Sequence, residues 1–290
     1  MTHLIGYVLV GVVIGFLSGL FGVGGSSVST PILKMLFALP DRIALASPLP
    51  VTIPTALAGA YSYWRRGLVR KDVALWATLG GMPGVIAGAL GTKVVSGLWL
   101  MSLTGAFVLA VGLRLLVRDK GPAPGGLKGR WPIPLTAALV GLLVGFLSGL
   151  LANGGGFLLV PAFVLLLGLS MQEAASTSLI CVAFYAIPGT LVHWWLGNIN
   201  WPLVLALSIG VIPAGYLGSR LGLMINGDRT RTAFGLFLAI FGLDFVLQQF
   251  GLRGAVAYAL LAVAVVVAAL WAALGLATRG GRREPGPQQP

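Results

Sequence analysis

Two segments of this sequence combine glycine, small polar side chains and proline in an order that can do chemistry without an acid, a base or a metal. They are GLFGVGGSSVSTP, from Gly19 to Pro31, and GLLANGGGFLLVP, from Gly149 to Pro161. In each, glycines stop an apolar helix and a proline follows near the start of the next apolar stretch. Proline is tolerated in a first helical turn because the N–H it lacks would have no partner there. A helix beginning at such a place presents unpaired N–H groups and the positive end of its dipole, which together attract an anion without any cationic side chain. Glycine also lets a ligand approach the backbone closely. The residues singled out are Gly24, Gly25, Ser26, Ser27, Ser29 and Thr30 in the first segment, and Asn153, Gly154, Gly155 and Gly156 in the second. Their hydroxyl and amide groups can either contact a ligand or cap the broken helices.

Magnitudes require both segments together. Removing water from an anion costs several kcal/mol, whereas one helix N-terminus returns about 0.3–2 kcal/mol and each charge-assisted hydrogen bond roughly 1.5–3 kcal/mol. Two facing glycine turns therefore hold an oxyanion loosely, as a site that must also release it does. The competing reading is that the glycines only let helices pack closely, as small residues do in membranes.

What must position these segments is a membrane-embedded bundle. Only 9% of the 290 residues are charged and 57% are hydrophobic, against about 25% charged in soluble domains, and apolar runs of about 20 residues recur throughout. The net charge of +12 is gathered in short loops such as RRGLVRK, from Arg65 to Lys71, and the stretch from Arg114 to Arg130. That pattern reports topology, since Lys and Arg are retained on the cytoplasmic side, and it is not a nucleic-acid footprint. The first apolar run follows only MTH and recurs later in the chain, so it reads as a retained span and not as a cleaved signal. Seven acidic residues and the single cysteine, Cys181, supply no paired carboxylates, nucleophile triad or metal set. No cofactor is expected, and a membrane enzyme or assembly factor is the weaker alternative. An anion channel is the other alternative and would show flux that does not saturate.

GFLSGL begins at Gly15 and again at Gly145, and the spacing of 130 residues then holds without insertion. Gly24-Gly25 falls on Gly154-Gly155, Pro31 on Pro161, Gly59 on Gly189, Trp64 on Trp194, Gly67 on Gly197, Pro83 on Pro213 and Gly88 on Gly218. Backbone shape is what the halves share. Residues 1–118 form the first repeat, 119–133 a cytoplasmic linker, 134–278 the second repeat with one extra span, and 279–290 a disordered tail. Each half reads as an apolar helix (about 4–22 and 134–152), a glycine break, a short segment (about 26–38 and 156–168) and three spans. Those spans lie near 44–64, 73–92 and 96–117, then 174–195, 202–221 and 230–250, with the extra one near 254–277.

Basic loops place RRGLVRK, the linker, the loop with Arg220, Arg229 and Arg231, and the tail in the cytoplasm, whereas the loop equivalent to RRGLVRK, Leu196 to Trp201, has no charge and is expected outside. Opposite sides for equivalent loops give an all-α fold of two inverted repeats, each with a glycine-rich broken-helix hairpin and a site near the bilayer midplane. A parallel duplication is the alternative.

Other side chains carry weaker signals. Ser47 and Thr177 are repeat equivalents in the spans after the breaks, where membrane Ser and Thr either meet substrate or bond between helices; Thr52, Thr55, Ser176 and Ser178 lie beside them. His193 and Tyr63 are equivalents near span ends and can act in gating or sit at the headgroup interface. Asp244 and Arg114 are equivalents within apolar spans, and an intramembrane charge is a candidate for coupling, although Arg114 can snorkel to the surface. Lys34 can balance an anion's charge.

In these residues the chain resembles the sulfite exporter TauE/SafE family, whose halves each carry a GxxxG(L/F)xGxxGxGGG-like run followed by proline. Gly11, Gly15, Gly19, Gly22, Gly24, Gly25 and Pro31 fit the first copy; Gly141, Gly145, Gly149, Gly154, Gly155, Gly156 and Pro161 fit the second. Ser26 and Ala152-Asn153 depart from it. The resemblance implies export or exchange of sulfite, a sulfonate or a related organic anion across the inner membrane, without a covalent cofactor. The expected partners are that small anion and the lipid bilayer, with room for a homo-oligomer.

Overall fold

The computed structural model describes residues 2–25, 29, 33, 37, 39–92, 106, 109–117, 132–151 and 154–249. Among them there is no strand. The helices are α1 (Thr2–Phe21), α2 (Asp41–Ala46), α3 (Pro48–Trp64), α4 (Lys71–Gly91), α5 (Ile133–Leu151), α6 (Gly156–Leu166), α7 (Met171–Trp195), α8 (Trp201–Met224) and α9 (Gly227–Gln249). Among the described residues, five apolar helical runs are long enough to cross a bilayer: Arg42–Trp64, Lys71–Gly91, Ile133–Leu151, Met171–Trp195 and Trp201–Met224. The first joins α2 to α3 across Ser47-Pro48. These bounds fall within a few residues of the sequence reading. The segment 26–38 is described only at Ser29, Leu33 and Phe37; most of 96–117, and the linker, extra span and tail, lie outside the described residues.

Local chemistry explains where helices start. Ser170 begins α7 with a capping box: its hydroxyl accepts from the Glu173 N–H at 3.3 Å and its own N–H donates to Glu173 Oε2 at 2.9 Å. Asn200 begins α8, its Oδ1 accepting from the Leu203 N–H at 3.1 Å, with Pro202 in the first turn. At α4, Arg70 and Asp72 form an exposed ion pair of 2.9 Å, worth at most about 1 kcal/mol.

The halves exchange helices. Helix α1 packs on α8, and α5 packs on α4. Gly11, Gly15 and Gly19 lie against Leu207, Val211 and Gly215, and their repeat equivalents Gly141, Gly145 and Gly149 lie against Ala77, Gly81 and Val85. A Cβ on Gly15 would stand 2.8 Å from the Val211 Cα, and one on Gly145 2.8 Å from the Gly81 Cα. These glycines are therefore packing devices, small enough for two helix backbones to touch. In both pairs the contacts advance in the same direction, so the paired helices run parallel.

The central contact is between α3 and α7. Gly59 meets Leu179 and Gly189 meets Leu49, so residue numbers rise along one helix as they fall along the other, and the two run antiparallel. Hydrogen bonds tie the halves at matching positions. Ser47 Oγ accepts from the Asn200 N–H at 3.0 Å, and Thr177 Oγ1 accepts from the Arg70 N–H at 3.1 Å. Both pairs follow the 130-residue spacing. Tyr185 adds a bond from its hydroxyl to the Ala77 carbonyl at 2.7 Å. Each such bond contributes about 1 kcal/mol net, and losing one partner leaves a buried group unsatisfied at roughly 1–3 kcal/mol.

Candidate functional site

Helix α1 ends at Phe21 because Gly22 and Gly24 take φ of 75° and 73°, a left-handed conformation that ordinary side chains avoid. The second break uses Gly154 and Gly155, at 70° and 74°. Both chains then restart in the same register. The Ser29 N–H donates to the Gly25 carbonyl at 3.2 Å, and the equivalent Leu159 N–H donates to the Gly155 carbonyl at 2.9 Å. Helix α6 begins with Gly155 as its N-cap and has no side-chain cap, so its first N–H groups are offered by backbone alone.

The two breaks meet each other. Gly156 lies so close to the Val23 backbone that a Cβ on it would collide with the Val23 carbonyl. Around this contact stand α3 and α7: a Cβ on Gly24 would reach Val182 at 2.6 Å and Thr52 at 3.2 Å, and one on Gly25 would reach Thr55 Oγ1 at 3.7 Å. Thr52 and Val182 are repeat equivalents near the middle of the spans Arg42–Trp64 and Met171–Trp195. Gly22 packs on Ala175, and the Ser178 hydroxyl donates to the Gly22 carbonyl at 2.6 Å. Gly24, Gly25, Gly154, Gly155, Gly156 and Ser29 are all buried.

The hydroxyl protons of Thr52 and Thr55 are already used. Thr52 donates to the Pro48 carbonyl at 3.0 Å and Thr55 to the Val51 carbonyl at 2.6 Å. Neither threonine therefore has a proton to offer a ligand at the breaks. Ser18 is different: it is fully buried, its carbonyl accepts from the Gly22 N–H at 2.8 Å, and its hydroxyl has no partner among the described residues. Its equivalent, Ser148, lies beside the space above Gly155. Sequence reasoning passed over this pair, although both serines belong to the repeated GFLSGL.

The remaining candidates separate. Ser47 and Thr177 are buried in the bonds between halves described above. Ser26, Ser27, Thr30, Lys34 and Asn153 lie outside the described residues, as does the side chain of Asp244, whose backbone belongs to α9. Arg114 is exposed on the helical stretch 109–116. His193 is 4% exposed on α7; the Gly149 backbone is its polar neighbour, at a geometry short of a hydrogen bond. Its equivalent Tyr63 lies with its hydroxyl 3.5 Å from the Gly19 and Leu20 carbonyls, in a notch opened by Gly222. No group of three or more His, Cys, Asp or Glu that could hold a metal occurs among the described residues.

Comparison with known proteins places the chain among membrane transporters. A Bacillus subtilis protein named "Probable membrane transporter protein YunE" is 30% identical over 241 residues, covering 76% of this chain and 87% of its own length. A "Probable membrane transporter protein" of Xylella fastidiosa is 26% identical, with coverage of 79% and 89%. A further relative, from Methanocaldococcus jannaschii, is 23% identical, with coverage of 83% and 94%. No solved structure gives a significant match. The family model described as "Sulfite exporter TauE/SafE" matches residues 7–245, and the chain belongs to that family of integral membrane transporters, which are not enzymes.

Proposed function

We propose that the protein is a secondary transporter that exports or exchanges a small anion, sulfite or an organosulfonate, bound near the bilayer midplane between the two glycine turns. The observation that carries this reading is the meeting of Gly156 with the Val23 backbone beside the middles of the spans Arg42–Trp64 and Met171–Trp195. Two helix breaks converge there, the second opening α6 on backbone N–H groups in a buried setting, and discontinuous helices of this kind are where secondary transporters bind their ions. An anion lying across both turns loses its water but gains donors from both halves.

The repeats are inverted in this reading. The antiparallel packing of the equivalent helices α3 and α7 supports it, as does the contrast between the basic loop 65–71 and the uncharged loop 196–201. The chain beyond Phe21 also returns toward α1: a Cβ on Gly25 would lie 3.3 Å from Ile14, and the Phe37 ring stands 4.4 Å from the Tyr7 ring. Those contacts fit a hairpin at the first break. With positive residues inside, the chain lies in the inner membrane with its C-terminus in the cytoplasm. Rocking of one repeat against the other about the two turns would expose the site to each side alternately.

The test is flux in proteoliposomes across sulfite, small sulfonates, sulfate and carboxylates. Saturable, counter-ion-dependent movement of a sulfur oxyanion supports the reading. Flux that rises linearly with concentration without coupling would assign a channel, and no flux of any anion would refute it.

A further inference from the structure

We propose that the crease between α3 and α8, at the end of the bundle carrying the loop 65–71, binds the phosphate headgroup of an anionic phospholipid. The inference rests on the membrane embedding of the chain and is independent of the anion-transport reading.

The ends of α3 and α8 are fixed together there. Ser219 donates to Ser62 Oγ at 3.0 Å, and the Tyr61 and Tyr216 rings stand 6.5 Å apart across the crease. Arg220 lies over the Tyr216 ring at 4.8 Å, and on the adjoining surface Lys71 lies over the Trp64 ring at 5.4 Å. Stacking of this kind holds a long cationic side chain in one place with its donors free. Arg65, Arg66 and Arg220 are exposed and make no ion pair among the described residues; of the carboxylates at this end, Asp72 and Glu173 are engaged with Arg70 and with the α7 cap, and Asp228 lies in the first turn of α9, eight residues beyond Arg220. One turn deeper on each helix are the exposed Leu57 and Ile212, an apolar track on which an acyl chain can lie.

The internal repeat supplies the control. The crease between α7 and α4 has the same backbone, but Tyr61, Arg65 and Arg66 are replaced there by Leu191, Trp195 and Leu196, and Tyr216 and Arg220 by Ile86 and Leu90. The acyl track is kept as Ile187 and Met82. Helix packing alone therefore needs neither the tyrosines nor the arginines. What they add is a group of exposed guanidinium donors at headgroup depth, beside hydroxyls that can reach a glycerol.

The experiment is native mass spectrometry of the full chain released from detergent and titrated with phosphatidylglycerol, phosphatidylcholine or inorganic phosphate. Phosphatidylglycerol should bind at least fivefold more tightly than phosphatidylcholine, and inorganic phosphate should not compete. The double variant Tyr216→Ile with Arg220→Leu installs the residues of the other crease and should weaken phosphatidylglycerol about fivefold or more. Arg220→Gln alone is the milder variant should the double one misfold. Arg42→Leu removes one charge at the opposite end of the span and should change nothing. Unchanged binding in both Arg220 variants, or an equal loss in Arg42→Leu, would overturn the site, and effective competition by phosphate would make it a soluble-anion site instead.

Discussion

Gly156→Ala separates the proposed site from ordinary packing. The residue opens α6 with helical geometry, so alanine meets no backbone strain and gains up to about 1 kcal/mol in helix propensity. Its Cβ, however, would lie 2.7 Å from the Val23 Cα and closer still to the carbonyl, against a comfortable separation of about 3.5–4.0 Å. The two glycine turns must therefore part by about 1 Å. Overpacking of this size costs about 1–3 kcal/mol, leaving a net loss of at most about 3 kcal/mol and a folded protein. Donors displaced by about 1 Å no longer converge on one anion, and such a misplacement is worth on the order of 100-fold in rate. Gly67→Ala and Gly197→Ala are the matched controls: φ is 67° and 70°, and a Cβ there would meet nothing within 4 Å. They carry strain of about 1–2 kcal/mol without a collision. The assay is sulfite flux in proteoliposomes normalised to folded protein measured by size-exclusion chromatography. Wild-type flux from folded Gly156→Ala, or an equal loss in the loop controls, would refute the argument.

Single cysteines at Gly67 and Gly197, in a Cys181→Ala background, should label from opposite sides of the membrane with an impermeant thiol reagent; labelling of both from one side would mean parallel repeats. Ser47→Ala and Thr177→Ala should each destabilise by roughly 1–3 kcal/mol, read by thermal unfolding, because each strands a backbone N–H that begins a helix of the other half. Tyr63 needs the notch at Gly222, and the repeat equivalents of that pair are His193 and Thr92. His193→Tyr should therefore lower the melting temperature, and Thr92→Gly should restore part of it; additive effects would deny that the two positions share a space. In calorimetry, sulfite and a small sulfonate should bind with micromolar to millimolar affinity while an uncharged sulfone of similar size does not. Equal binding of the sulfone would return the glycine turns to a packing role.

Much of the fold was legible because membranes simplify the signal. A helix crossing hydrocarbon must satisfy its own backbone, so span lengths such as Met171–Trp195 follow from hydropathy and caps alone. The repeat was equally plain, since glycine and proline positions record backbone shape directly. What the sequence could not separate was the two jobs of glycine within one motif. Gly15 and Gly145 hold backbones together, whereas Gly24, Gly154 and Gly155 turn the chain, and only φ and neighbours distinguish them. The hydroxyls were ambiguous for the same reason. Ser47, Thr52, Thr55 and Thr177 are compatible with a ligand by type, yet three-dimensional partners decide where each proton and lone pair is committed. Ser18 shows the reverse: the repeated GFLSGL marks its position but not its role, and what distinguishes it is a buried hydroxyl without a partner among the described residues.

The exchange of helices between halves bears on how the chain is made. During insertion from the N-terminus, α1 enters the bilayer long before its resting place on α8 has been synthesised, and α4 likewise waits for α5. Neither half can close its glycine-lined surfaces on its own, so assembly must be delayed until both halves are present, with exposed backbone grooves at risk of capturing the wrong partner meanwhile. The same interlock gives a route of descent. A gene encoding one half, inserted in both orientations, could have formed this bundle as two identical chains, and fusion would then have freed each copy to diverge. Tyr63 and His193, Thr52 and Val182, and the basic and apolar creases are what such divergence leaves behind.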